Sequence, residues 1–202
     1  MRPRAHGEAA AMNKPKIGVL ALQGDFEAHR AALKRAGAEG VDVRTASDLE
    51  SIDALIIPGG ESTTMLKLID AEDLLSALQS FGARKPIFGT CAGAILLASD
   101  VVSPKQRSLG LMDMTIERNA YGRQIDSRIA PIEVDGASAE AVFIRAPVIL
   151  RVGPEAKILA SYQGAPVLVE QGKHLAATFH PELSGDDRIH GHFVQKVIKQ
   201  RA

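Results

Sequence analysis

The sequence predicts an α/β fold of three layers, a mostly parallel central sheet with helices on both faces, and a β-rich second half. Two observations carry that prediction. Short apolar runs alternate with segments of helical spacing through the first half of the chain, and its glycine-rich turns fall where those runs end. Beyond Pro104 the helical spacing gives way to closely spaced strand-like runs.

The elements follow in order. Residues 16–22 contain the run Ile17-Gly18-Val19-Leu20-Ala21-Leu22, whose unbroken apolarity suits a strand covered on both faces. Residues 25–36 set Phe26, His29, Ala32, Leu33 and Ala36 at helical spacing, and Gly37 is the stop. Residues 41–44 and 54–57 are two more strands, separated by the polar stretch 47–51. Pro58-Gly59-Gly60-Glu61-Ser62 then turns toward a helix over residues 66–81, with a break near Asp70. Residues 86–88 form a strand feeding Gly89-Thr90-Cys91-Ala92-Gly93, and helix resumes over 94–99. Further strands are expected at 114–117, 129–134, 142–144, 149–152, 158–162, 167–170 and 175–179, before a closing helix over 189–199.

A chain of 202 residues can bury most of its apolar surface in one core, so residues 14–202 are read as a single domain. Residues 1–13 are set apart as a disordered extension; they carry no apolar core of signal-peptide length. Lys plus Arg and Asp plus Glu both number 24, which leaves no surplus positive field to attract nucleic acid or an anionic membrane. No run approaches the ~18 apolar residues of a membrane span. A lone cysteine suits a reducing compartment, so a cytoplasmic location is expected.

That cysteine sits where chemistry is expected. In Gly89-Thr90-Cys91-Ala92-Gly93 the flanking glycines permit a sharp strand-to-helix turn that lifts Cys91 above the sheet. The helix start would favour a thiolate and leave the Ala92 N–H free for a developing oxyanion. The alternative is a buried structural cysteine between incidental glycines. A thiol nucleophile needs a base and a group to orient it, and His180-Pro181-Glu182 supplies both at the end of a strand, where positions i and i+2 share a side. Read alone, the tripeptide is more often a surface loop with an incidental acid near a histidine. Gly59-Gly60 lets backbone amides approach a ligand, with Ser62 as a helix cap, or is a plain turn. The case rests on conjunction, since all three pieces fall at strand ends. Four further histidines are given structural readings: His29 as a satisfied, partly buried side chain, His174 as surface, and His190 with His192 as a solvated helix start without metal.

The motifs together resemble a known family. Gly59-Gly60-Glu61-Ser62-Thr63-Thr64, the cysteine elbow, Glu117-Arg118-Asn119 with Tyr121-Gly122-Arg123-Gln124, Phe143-Ile144-Arg145-Ala146-Pro147 and Phe179-His180-Pro181-Glu182-Leu183 look like the glutaminase subunits of pyridoxal 5′-phosphate synthase. These are triad-type class I glutamine amidotransferases with a flavodoxin-like sheet, and the likeness runs from about Lys16 to the C-terminus. The resemblance implies hydrolysis of glutamine to glutamate and ammonia, without cofactor or metal. It also implies a separate synthase partner that builds pyridoxal 5′-phosphate, the vitamin B6 cofactor, from a pentose phosphate and glyceraldehyde 3-phosphate. Carried over, Cys91 is the nucleophile, His180 the base and Glu182 the orienting acid; Gly60, Glu61, Ser62, Arg118, Ile144 and Arg145 take the glutamine-binding places, and Gly60 with Ala92 the oxyanion hole. Either arginine suits the substrate α-carboxylate, and either is otherwise an ordinary surface ion pair. With residues 16–202 consumed by the sheet and its motifs, the site is expected to be completed on docking to the synthase. Two rivals are a glutaminase subunit for imidazole glycerol phosphate synthesis, which the narrower motifs disfavour, and a non-catalytic regulatory protein built on a cysteine elbow.

Overall fold

The structure, a computed structural model, describes residues 14–118 and 127–202. The expected extension over residues 1–13 lies outside the described residues, as do Asn119 and Tyr121-Gly122-Arg123-Gln124. The first half runs β1 (Lys16–Leu20), α1 (Phe26–Arg35), β2 (Glu39–Val43), β3 (Ala54–Ile57), α2 (Ser62–Ala71), α3 (Leu75–Arg84), β4 (Ile87–Thr90) and α4 (Ala92–Leu97). The second contains β5 (Ala98–Val102), β6 (Met112–Glu117), β7 (Arg128–Val134), β8 (Ala137–Phe143), β9 (Val148–Val152), β10 (Ala156–Tyr162), β11 (Ala165–Gln171), β12 (His174–Ala177) and α5 (Arg188–Arg201).

The main sheet has seven strands in the order β10-β11-β12-β4-β3-β1-β2. Its members from β12 to β2 pair in parallel, while β11 pairs antiparallel with both of its neighbours. The central strands β3 and β4 are buried at every position because both faces are covered, whereas the edge strand β2 is buried only at Val43. On one face Leu33 of α1 and Phe193 and Val197 of α5 share a core with the β7–β8 hairpin. On the other, α2, α3 and α4 pack with the three-stranded sheet β5-β6-β9.

Local signals place the element ends. Asp25 caps α1 by accepting the Ala28 N–H at 3.1 Å, and Lys34 and Arg35 in its last turn complement the helix dipole. The closing helix buries Ile189, His190, Phe193, Val194 and Val197, one stripe at helical spacing. In the β7–β8 hairpin, Asp135 and Gly136 both have positive φ, the conformation of a tight primed turn.

Five expectations need correction. The break expected near Asp70 falls at Glu72-Asp73-Leu74, where Asp73 has φ +51°, and the first of the two helices begins already at Ser62 rather than at 66. Helix does not reach Ser99, because from Ala98 the chain pairs in parallel with β6 as β5. His174 is not surface: it is buried and its Nδ1 accepts the Ile87 N–H at 3.2 Å, tying the start of β12 to β4. His190 is not solvated but fully buried, and so is His29.

Candidate active site

Strand order brings the three motifs together. β4 lies between β12 and β3, and all three run in parallel, so their carboxyl ends share one rim of the sheet. Cys91 follows β4, the turn Pro58-Gly59-Gly60 follows β3, and His180 follows β12.

Cys91 has φ +50° and ψ −105°, a sparsely populated conformation for a residue with a side chain that costs on the order of 1–3 kcal/mol. The neighbours hold it there. Its N–H donates to the Ala177 carbonyl at 2.8 Å, and α4 begins at the next residue. Both elbow glycines are needed for space: a Cβ on Gly89 would lie 2.4 Å from the Gly93 carbonyl oxygen, and one on Gly93 would lie 2.0 Å from the Ile57 carbonyl oxygen. As the first residue of α4, Ala92 has an N–H outside the helical ladder. The Cys91 sulfur is 3.9 Å from the Ile144 carbonyl oxygen.

His180 is tethered through its backbone N–H, which donates to Val142 of β8 at 2.8 Å. The tripeptide is not extended, contrary to the expectation from its strand-end position. Pro181 opens a turn of 3-10 helix, Pro181–Leu183, and this turn folds Glu182 back on the ring. The His180 Nδ1–H donates to Glu182 Oε1 at 2.7 Å, leaving the other ring nitrogen for the thiol. Burial acts to lower the imidazole pKa, but hydrogen bonds and charge from Cys91 and Glu182 outweigh it and raise it to about 10. These supports favour the protonated ring.

The remaining predicted residues gather in the same place. Gly60, Glu61 and Ser62 line a single cavity of about 180 Å³ together with Cys91, Arg118, Ile144, Arg145 and His180. This volume is smaller than that of a drug-sized site and suits a ligand on the scale of an amino acid. A larger depression of about 910 Å³ near Lys16, Arg30 and Glu39 lies away from the cysteine and mixes both charge signs.

Glu61, not Ser62, caps α2. Its carboxylate accepts the Thr63 N–H at 3.0 Å and the Thr64 N–H at 2.7 Å, and a bond from the Thr64 hydroxyl is the largest of several that lower its pKa to about 2. Ser62 is buried instead and donates to Gln106 Oε1 at 3.0 Å. Arg118 is held over the cavity by Thr63 Oγ1 at 2.5 Å and Glu61 Oε1 at 3.4 Å, while its buried Nε has no partner among the described residues. A guanidinium fixed on one edge with a donor to spare is suited to a carboxylate.

Sequence reasoning passed over several residues that shape the site. Gly59 appeared only as part of a motif, yet a Cβ there would sit 2.4 Å from His180 Cε1, so the ring occupies the space a side chain would take. Gln23 follows β1 and accepts the Glu61 N–H at 3.3 Å; a polar residue at a strand's carboxyl end was the available signal. Ile95 of α4 completes the cavity wall. Among the described residues no cluster of three or more His, Cys, Asp or Glu is placed to hold a metal, and no helix is long and apolar enough to cross a membrane.

Comparison with known proteins gives a consistent picture. Residues 19–199 match the model of the SNO glutamine amidotransferase family. A protein of Solibacter usitatus (strain Ellin6076) named pyridoxal 5′-phosphate synthase subunit PdxT is 57% identical over 190 residues, covering 90% of this chain and 99% of its own. A protein of the same name from Koribacter versatilis (strain Ellin345) is 54% identical over 184 residues, covering 90% of this chain and 95% of its own. A crystal structure described as a glutamine amidotransferase superposes with a TM-score of 0.84 at 48% identity, covering 90% of this chain and 98% of that one. A Thermotoga maritima crystal structure, likewise described as a glutamine amidotransferase, shares the fold at 10% identity and TM-score 0.58, over 92% of this chain and 95% of that one.

Proposed function

The chain belongs to the SNO glutamine amidotransferase family, and from that premise we propose that it hydrolyses glutamine to glutamate and ammonia and hands the ammonia to a pyridoxal 5′-phosphate synthase subunit. The observation that carries this reading is geometric: His180, hydrogen-bonded through Nδ1 to buried Glu182, lines the same amino-acid-sized cavity as Cys91. Residues 14–202 act as one amidotransferase domain, and the single free cysteine fits the reducing cytoplasm.

In this mechanism Arg118 or Arg145 pairs with the substrate α-carboxylate and places the side-chain amide over Cys91. The thiolate attacks the amide carbon, a C–S bond forms, and the oxyanion is received by the N–H groups of Gly60 and Ala92. His180 protonates the leaving nitrogen as the C–N bond breaks, releasing ammonia and a γ-glutamyl thioester. The now neutral imidazole takes a proton from water, which attacks the thioester. The C–S bond breaks, glutamate leaves, and the thiolate is restored. Glu182 stays ionised and keeps the ring turned toward the sulfur. Gly60 and Glu61 also hold the oxyanion turn, so docking of the synthase on this rim would complete the site.

The test is a glutaminase assay with and without the synthase subunit. Cys91→Ala and His180→Asn should abolish activity, Glu182→Gln should reduce it partially, and the synthase should raise the wild-type rate. An unimpaired His180→Asn enzyme would refute the triad, and a rate indifferent to the synthase would refute the coupling.

A further inference from the structure

Glu182 has two carboxylate oxygens, and the triad uses one. Oε2 is buried and has no hydrogen-bond partner among the described residues. A buried carboxylate oxygen without a donor is costly, so what lies opposite it matters. Nε2 of His29, on α1, lies 3.4 Å away. His29 is fully buried, and its Nε2 also lies 3.2 Å from Oγ1 of Thr90, the residue before the nucleophile. Its Nδ1 is 2.9 Å from Nε2 of His190 on α5.

The proton positions follow from the far end of this chain. His190 Nδ1 is buried without a partner among the described residues. A bare lone pair there is tolerable, whereas an orphaned N–H is rare. His190 therefore carries its proton on Nε2 and donates it to His29 Nδ1, and His29 must carry its own proton on Nε2. That N–H is in hydrogen-bond geometry with Thr90 Oγ1 at 3.2 Å, and Glu182 Oε2 stands beside it at 3.4 Å. Burial, reinforced by the neighbouring rings of His190 and His180, keeps His29 uncharged. The donor is thus neutral and does not compete with the His180 imidazolium for the carboxylate's charge.

We infer that His29, held in its Nε2–H tautomer by His190, is a positioning residue for Glu182: it engages the second carboxylate oxygen so that the first stays aligned on His180. The inference rests on the triad reading above and extends it from the rim into the core, linking α1 and α5 to the reaction. A purely structural role for the His29–His190 pair would stabilise the helices without touching turnover.

The experiment measures glutaminase kcat and KM in the presence of the synthase subunit for His29→Leu, His29→Gln, Glu182→Gln and the double variant His29→Leu with Glu182→Gln. His29→Leu should lower kcat by roughly tenfold to a hundredfold, the range met when the outer partner of an oriented side chain is deleted, with KM for glutamine within about twofold. His29→Gln, whose amide supplies both a donor and an acceptor, should recover much of that loss. In the Glu182→Gln background the His29→Leu penalty should largely vanish, because the two act as a unit. A full penalty in that background, or a wild-type kcat in His29→Leu, overturns the inference. If His29→Leu does not fold, His190→Phe removes the tautomer lock and carries the same expectation; wild-type kcat there overturns it equally. A Glu182→Gln enzyme with undiminished activity would instead fell the triad reading, which separates the two failures.

Discussion

At the scale of single residues, the site depends on what is missing as much as on what is present. Gly59 makes room for the His180 ring, since its absent Cβ would lie 2.4 Å from Cε1. Gly59→Ala should therefore displace the imidazole and lower kcat by roughly a hundredfold, a cost typical of ångström-scale misplacement, while circular dichroism shows an intact fold. The charge state of that ring is a second residue-level property. Cys91 and Glu182 together hold its pKa at about 10 against the opposing effect of burial, so removing one support should lower it. An NMR titration of Cys91→Ala is expected to place His180 below the wild-type value. Cys91, His180 and Glu182 were legible in the sequence because each belongs to a compact motif. Gly59's clearance was not, because the atom it avoids comes from a residue far along the chain.

At the scale of elements, helix starts and strand ends position the chemistry. Glu61 begins α2 by accepting two backbone N–H groups and also braces Arg118. Glu61→Ala should destabilise the protein by about 1 kcal/mol through the lost cap and raise KM for glutamine as Arg118 loosens; thermal melts and steady-state kinetics separate the two effects. The start of α4 tolerates even less. Because a Cβ on Gly93 would stand 2.0 Å from the Ile57 carbonyl oxygen, which is backbone and cannot step aside, Gly93→Ala should lower the melting temperature by several degrees as well as activity. Elements with continuous apolar runs, such as β1 and β3, were readable from composition alone. The boundary between α4 and β5 was not: Ala98 and Ser99 extend a helical pattern, and only pairing with β6 turns them into strand.

At the scale of the whole molecule, burial couples distant histidines to stability. His174 and His190 are held at a pKa of about 4, and His29 well below its ordinary value, chiefly by loss of solvent. The unfolded chain binds these protons near pH 6.5, so their neutral burial is fully tolerated above that pH and opposes folding as pH falls toward 4. The loss is about 3 kcal/mol at most for each of His174 and His190. His180 has the opposite sign. Its raised pKa contributes stability that is complete below pH 6.5 and disappears as pH rises through about 10. Melting temperature should thus decline steeply from pH 6.5 to 4, and His174→Gln should show a shallower acid slope.

The chain's own order of residues determined the chemistry on offer. A thiol in a glycine-flanked elbow, an imidazole two residues from a carboxyl group, and a sheet of parallel strands can all be read from neighbours along the backbone, because each rests on local conformational or periodic signals. Only the tertiary structure decided which of these meet. Placing β4 between β12 and β3 set Cys91, His180 and Gly60 at one rim, and packing α1 and α5 against the same face buried His29 and His190 behind Glu182. Histidine titrates and hydrogen-bonds according to what surrounds it, and those surroundings come from segments that sequence separates widely.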